Sequence, residues 1–288
     1  METVDEIETA MKERDATAAS VVIQPAGFLL EMSLDWIVHR ASENIHRLLG
    51  ESHVTLIDEP LGKFVQGQAL HDLRNLFSRL SGTTGIGRAY AVRLTDDNQL
   101  VDVAFQLADG RVLLEMVPSA GSYGESFGTV GGLITGLSNS HGQALLDGGS
   151  RRMRALTGYD RVTLTCGEHR AESSRGAFTA PAEMSTALPH IIADVDATPV
   201  PIFPRNMEET SADAALLRSC SAAGLDELRR EGVRASLRVP FAVDDFIGEF
   251  RCDCRTPREP SFEMHAAAEL FAQLFAMRLE IDRFKNGG

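Results

Sequence analysis

The sequence predicts an α+β chain of two domains, each an antiparallel sheet with flanking helices. Two hairpins and a junction carry this reading. Asp109-Gly110 joins the apolar runs Leu100–Leu107 and Arg111–Pro118, and Asp-Gly between such runs favours a tight turn with positive φ. Asp244-Asp245 separates Val233–Val243 from Phe246–Cys254 in a second hairpin. Residues 121–132 between these halves are rich in Gly and Ser and form the expected junction. The expected division is an arm over 1–19, a first domain over 20–130 and a second over 131–288.

Each element has a local reason. Pro25 and Gly27 punctuate the entry to a strand at Phe28–Met32, and Trp36-Ile37-Val38 reads as the next strand. Asn44–Leu49 is a short helix stopped by Gly50. Leu70, Leu73, Leu76, Phe77 and Leu80 recur at helical spacing. Ala89–Leu94 is a further strand. In the second half a helix is expected over Leu133–Leu156, loosened at Gly148-Gly149, followed by a strand at Tyr159–Leu164. The last helix, Ser261–Phe284, is apolar on more than one face. One face should pack on the sheet, leaving Leu274, Met277 and Ile281 either for a partner helix or for the Leu133–Leu156 helix.

Composition excludes several functions. A net charge of −13 argues against nucleic acid and anionic lipid as partners, and no apolar run is long enough to span a bilayer. The first twenty residues carry Glu2, Asp5, Glu6, Glu8 and Glu13, unlike a secretory signal, so a reducing cytoplasm is expected. The four cysteines, Cys166, Cys220, Cys252 and Cys254, form no disulfide framework. Cys252-x-Cys254 lacks the spacing and the neighbouring His of a metal site and reads as buried thiols. The eight histidines are scattered, so no metal is expected. No nucleophile–His arrangement has local support, and the chain is not expected to be an enzyme. Gly82, Gly85 and Gly87, like Gly128, Gly131 and Gly132, lack a following Lys and read as turn and linker glycines rather than phosphate loops.

Four stretches carry a resemblance: Ile23-Gln24-Pro25-Ala26-Gly27, Met153–Val162, Ile191–Pro201, and Leu217–Ser221 with Gly232–Ser236. Over roughly residues 20–285 the chain resembles the photosensory PAS–GAF core of bacterial phytochromes. The resemblance implies a PAS domain followed by a GAF domain. It also implies that the segment near Ile23–Gly27 threads a GAF loop running from Ile191 to about Arg218. Asp194 and Asp196 then lie in a structural lasso stiffened by Pro199, Pro201 and Pro204.

The departures fall on the bilin site. By the resemblance the ligand pocket is lined by Arg218, Ser221, Gly224, Ser236, Arg238 and Asp253. Gly224 and Asp253 stand where the family has histidines, and Arg238 where it has a serine. Residues 1–22 contain no Cys, and the plant-like attachment position is Ala223. The pocket motif is reduced to Pro181-Ala182-Glu183-Met184. Family members continue into a PHY domain that seals the bilin, and the end at Gly288 agrees with the missing motif. The resemblance therefore implies a sensory module without covalent bilin, acting through protein contacts, with no cofactor expected. Alternatives are a photoreceptor holding biliverdin non-covalently, or a redox or small-ligand sensor using the altered pocket or Cys252 and Cys254, with Cys220 a further possible thiol. Arg238 and Asp253 either compensate one another in an internal ion-pair network or lie at the surface, as most charges do. Strand alternation turns Cys252 and Cys254 away from Asp253. A homodimer about the last helix, and a signalling partner such as a kinase, are the expected associations.

Overall fold

The structure is a computed structural model, described over residues 22–80, 85–97, 99–121, 124–179, 190–204, 211–243 and 246–286. The expected arm 1–19, Pro181–Met184 and the Asp244-Asp245 turn lie outside the described residues. The chain divides into two compact units, Met1–Ser119 with Asp196–Asp226, and Ala120–Val195 with Glu227–Gly288.

The strands of the first half are β1 (Val22–Ile23), β2 (Phe28–Met32), β3 (Val38–Ser42), β4 (Gly87–Val92), β5 (Val101–Ala108) and β6 (Arg111–Pro118). Its helices are α1 (His46–Leu49), α2 (His53–Leu56) and α3 (Gly67–Leu80). The second half begins with α4 (Glu125–Thr135) and α5 (Gly142–Thr157), then β7 (Arg161–Cys166), β8 (His169–Ser174), β9 (His190–Ile192) and β10 (Val200–Phe203). It closes with α6 (Ala222–Arg230), β11 (Ala235–Val243), β12 (Phe246–Cys254) and α7 (Phe262–Asn286).

In the first unit the strands run in the order β1-β10-β3-β2-β6-β5-β4, with every pairing antiparallel. Asp109 and Gly110 both have positive φ, as the Asp-Gly hairpin requires. Alternation sends Leu30, Met32, Val103, Phe105, Leu114 and Met116 into a core shared with Leu73 and Trp36. The strand expected at Trp36–Val38 begins instead at Val38. Trp36 has φ 65° and Ile37 makes only an isolated bridge to Pro60, so these residues form the turn. Gly50 ends α1 in the left-handed conformation.

The other face of this sheet is also buried, although it carries Glu31, Arg40 and Glu115. The Asp196–Asp226 segment supplies partners here. Arg40 Nε donates to Pro204 O at 3.1 Å, and Gln106 Nε2 donates to Ala214 O at 2.7 Å. Glu115 accepts from the backbone N–H groups of Leu216 and Leu217 at 2.9 and 2.7 Å. The same segment grips Val22–Gln24 on both edges. β10 pairs with β1 on one side, while Gln24 N donates to Leu217 O and Ser219 N donates to Val22 O on the other, at 2.8 and 2.9 Å. A Cβ on Gly27 would sit 2.4 Å from Leu217 Cδ1 and 2.9 Å from the backbone oxygen of Met116, so a larger residue would force the strand to shift.

In the second unit the order is β8-β7-β12-β11-β9, again antiparallel. One face packs on α5 and α7. Phe250 meets Phe271 and Phe275 with ring centroids 5.9 and 5.3 Å apart. Gly148 and Gly149 do not loosen a long helix. They lie buried inside α5, where a Cβ on Gly149 would come within 2.5 Å of the Phe275 ring. The interruption falls at 136–141, and Gly128, Gly131 and Gly132 are helical residues of α4 rather than linker glycines. Gly124 N donates to Glu263 at 2.9 Å, tying α4 to α7, and the units part at Ser119/Ala120. No helix among the described residues is long and apolar enough to cross a membrane.

Burial pushes the Glu115 carboxyl up to about 7, against the two backbone donors and the charges of Arg218 and Arg88. With the folded value above the unfolded one, its stabilising contribution is complete below about pH 4.5 and is lost as pH rises through about 7. Glu115→Gln should therefore gain on the wild type by about 3 kcal/mol between pH 4.5 and 7.5 in urea unfolding. A pH-independent difference would contradict this origin.

Candidate functional site

The face of the second sheet turned away from α5 and α7 is charged. Register explains why. Ser236 pairs with Asp253 and Asp253 with Arg161, while Arg238 pairs with Arg251 and Arg251 with Thr163. Paired residues share a face, and so do residues two apart, so Arg161, Ser236, Arg238, Glu249, Arg251 and Asp253 lie together. All six are buried.

Asp253 is the hub. Its Oδ2 accepts from Arg161 Nε and Nη2 at 3.0 and 2.7 Å. Its Oδ1 accepts from Arg251 Nε at 3.0 Å and from Ser236 Oγ at 2.9 Å. Glu231, in the turn after α6, closes the ring by accepting from Arg161 Nη2 at 3.0 Å and from Arg251 Nη2. Burial alone would lower the Arg251 pKa, but Asp253 and Glu231 outweigh it and hold the group above its ordinary value. Arg161 also donates to Thr179 O at 2.6 Å, and its guanidinium lies 4.5 Å from the Phe178 ring, whose centroid is 4.2 Å from Arg255.

Arg238 and Asp253 are buried, yet they are not each other's partner. The Asp253 oxygens are taken by Arg161, Arg251 and Ser236, and Arg238 sits 3.5 Å from Glu249. Burial holds the Glu249 carboxyl above the usual carboxylate range despite Arg238 and Arg251.

Of the other residues expected at the pocket or as thiols, Arg218, Cys220, Ser221 and Gly224 belong to the first unit. Arg218 donates to Ala215 O at 3.1 Å, and its backbone bridges Ile23. Ser221 Oγ accepts from Gly224 N at 3.2 Å, so it caps α6. Cys220 is half-buried. Cys252 and Cys254 point to the helix side, opposite Asp253. Burial pushes the Cys252 thiol well up, and Cys254 Sγ takes a contact from Arg258 Nη1 at 3.6 Å. The Cys252 thiol is therefore not activated as a nucleophile. Asp194 accepts from Arg234 at 2.9 Å, a structural role. No metal-holding cluster occurs among the described residues.

Sequence reasoning missed Arg161, Arg251 and Glu231. Arg251 was within reach, since it lies two residues before Asp253 on one strand and must share its face. Arg161 needed the β7–β12 register, and Glu231 carries no periodic signal.

Residues 13–119 match the PAS fold family. The chain is 27% identical over 289 aligned residues to a bacteriophytochrome from Pseudomonas aeruginosa, covering 90% of this chain and 39% of that protein. It also superposes on the chromophore-binding domain of an unusual bacteriophytochrome from R. palustris, with a TM-score of 0.77, 23% identity and coverage of 93% of this chain and 98% of that one. A Stigmatella aurantiaca phytochrome chromophore-binding domain gives a TM-score of 0.73 at 23% identity, covering 89% of this chain and 95% of that one. The chain has the fold of a phytochrome photosensory core. This phytochrome-like chain spans about two fifths of the length of the curated relative it matches.

Removing one partner from a buried charged ring strands the others. Asp253→Ala should cost about 3–5 kcal/mol in urea unfolding at pH 7. A cost below about 1 kcal/mol, the range of exposed pairs, would show that the ring does not form.

Proposed function

We propose that the chain is a phytochrome-like sensory module without covalently bound bilin and without enzymatic activity, signalling through protein contacts. The observation that carries this is the closed ring of Arg161, Asp253, Arg251 and Glu231, buried on the sheet face where the family's pocket histidine and serine would stand. The residues present do not fit a bilin. Seating an apolar ring system there would part guanidiniums from carboxylates, and each unpaired buried ion costs several kcal/mol. Tethering lacks a residue as well, since 1–22 hold no Cys and position 223 is Ala.

Non-covalent biliverdin remains the second reading, supported by the retained Arg218 and Ser236 and by the bacteriophytochrome relatives. A redox role draws less support, because Cys252 and Cys254 are buried and the Cys252 thiol is pushed up. Incubation with biliverdin should leave the absorption of the free pigment unchanged, and denaturing gels should show no zinc-fluorescent band. A sharpened red band without zinc fluorescence would favour the second reading; a fluorescent band would overturn both.

The output surface in this reading is α7. Leu270, Met277, Ile281 and Phe284 are exposed and Leu274 half-buried, at a spacing of four and three that makes one apolar seam. A homodimer about this seam would pass the signal to a separate protein such as a kinase. Sedimentation should give a dimer for the wild type and a monomer for Met277→Glu. A wild-type monomer at micromolar concentration would contradict the seam.

A further inference from the structure

The last turns of α7 are held by polar bonds rather than by packing. Phe271, Phe275 and Leu279 are buried, but beyond Leu279 the one buried residue of α7 among those described is Asp282, a carboxylate. Its partners lie at the corner between α4 and α5. Oδ2 accepts from Gly142 N at 2.8 Å, and Oδ1 lies 2.5 Å from His141 Nδ1. One turn earlier, Arg278 Nη2 donates to Ser140 O at 2.5 Å and to Ser138 O at 3.3 Å, while its Nη1 is 3.6 Å from Asp282 Oδ1.

The corner has no cap of its own. His141 occupies the N-cap position of α5 without a side-chain bond to the helix, and the first turn of α5 carries no acid. Asp282 supplies both the acceptor and the negative charge that a helix N-terminus favours. Burial works against its ionisation, but Gly142 N, His141 and Arg278 outweigh burial and hold the carboxyl below its ordinary value. The His141 side chain is about half exposed, so its proton is open to solvent. A neutral imidazole still donates one hydrogen bond, and protonation adds a charge to a contact that the backbone already places.

We propose that His141 and Asp282 form a proton-sensitive latch that fixes the last turns of α7 to the α4–α5 corner, tight when His141 carries its proton and looser when it does not. A histidine changes charge between pH 5 and 8 while Asp282 stays ionised, so the latch weakens as pH rises through that range. The other charged and titratable groups around the pair are Arg278 and Arg283 on α7, Glu168 and His169 in the β7–β8 turn, and Asp147 on α5, which accepts from Gln143. Residues 136–140 of the corner carry no charge. Asp282 adjoins Ile281, so the latch sets how firmly the apolar seam of α7 is presented. That consequence rests on α7 being the output surface; the latch itself does not.

The test is amide hydrogen exchange of the full chain, read as protection factors so that the pH dependence of exchange itself cancels. Protection of residues 280–284, relative to residues 266–276 of the same helix, should be about threefold higher at pH 5.5 than at pH 8. His141→Gln, an exposed change to a side chain that does not titrate, should abolish this difference. Asp282→Asn should abolish it too, while keeping an acceptor for Gly142 N, and His169→Gln should leave it intact. Equal relative protection at both pH values, or a pH dependence that survives His141→Gln, would overturn the latch. Sedimentation at the same two pH values reads the seam separately: pH-dependent protection in a chain that sediments as a monomer would support the latch and contradict the seam.

Discussion

Asp253 takes Arg161 on one carboxylate oxygen and Arg251 on the other, and the charged face of the second sheet is arranged around that bridge. Arg161 and Arg251 come from β7 and β12, so the bridge joins neighbouring strands, and Ser236 extends it to β11. Glu231 then pins the turn after α6 to both guanidiniums. Without Asp253, the two buried arginines would share Glu231 as the one carboxylate of the ring. With it, donors and acceptors close into a ring.

Such a ring is no argument for high stability, since well-packed apolar residues of similar volume often do as well or better. What it fixes is one arrangement of β7, β11, β12 and the Glu231 turn. The opposite face shows the contrast. There Phe241, Phe250, Phe271 and Phe275 interlock without a charge, and Gly149 is kept small so that Phe275 can approach α5. The first sheet repeats the pattern, with an apolar core on one side and Glu31, Arg40 and Glu115 on the other. Each unit thus spends one sheet face on packing and the other on directed polar bonds.

Hairpins and amphipathic periods made the α+β class legible, because Asp109-Gly110 and the alternation of β5 and β6 are local signals. Alternation also placed Cys252 and Cys254 opposite Asp253. Local signals failed where a contact from afar decided the outcome. The Trp36 turn is set by the Ile37–Pro60 bridge, and the glycines of α5 by Phe275, distant in sequence. The departures from the phytochrome pattern marked Asp253 and Arg238 as unusual, but their partners depend on register, and a sequence of isolated strands does not state register. Glu115 was invisible for the same reason: its partners are backbone N–H groups about a hundred residues away.

The bridge can be observed directly through the arginine Nε–H groups by nitrogen-15 NMR. In the wild type, Arg161 and Arg251 should give two Hε signals protected from exchange with water, both lost in Asp253→Asn and neither displaced by added biliverdin. Rapid exchange of these protons, or a shift of both signals on biliverdin addition, would contradict the claim that the ring occupies the bilin's place.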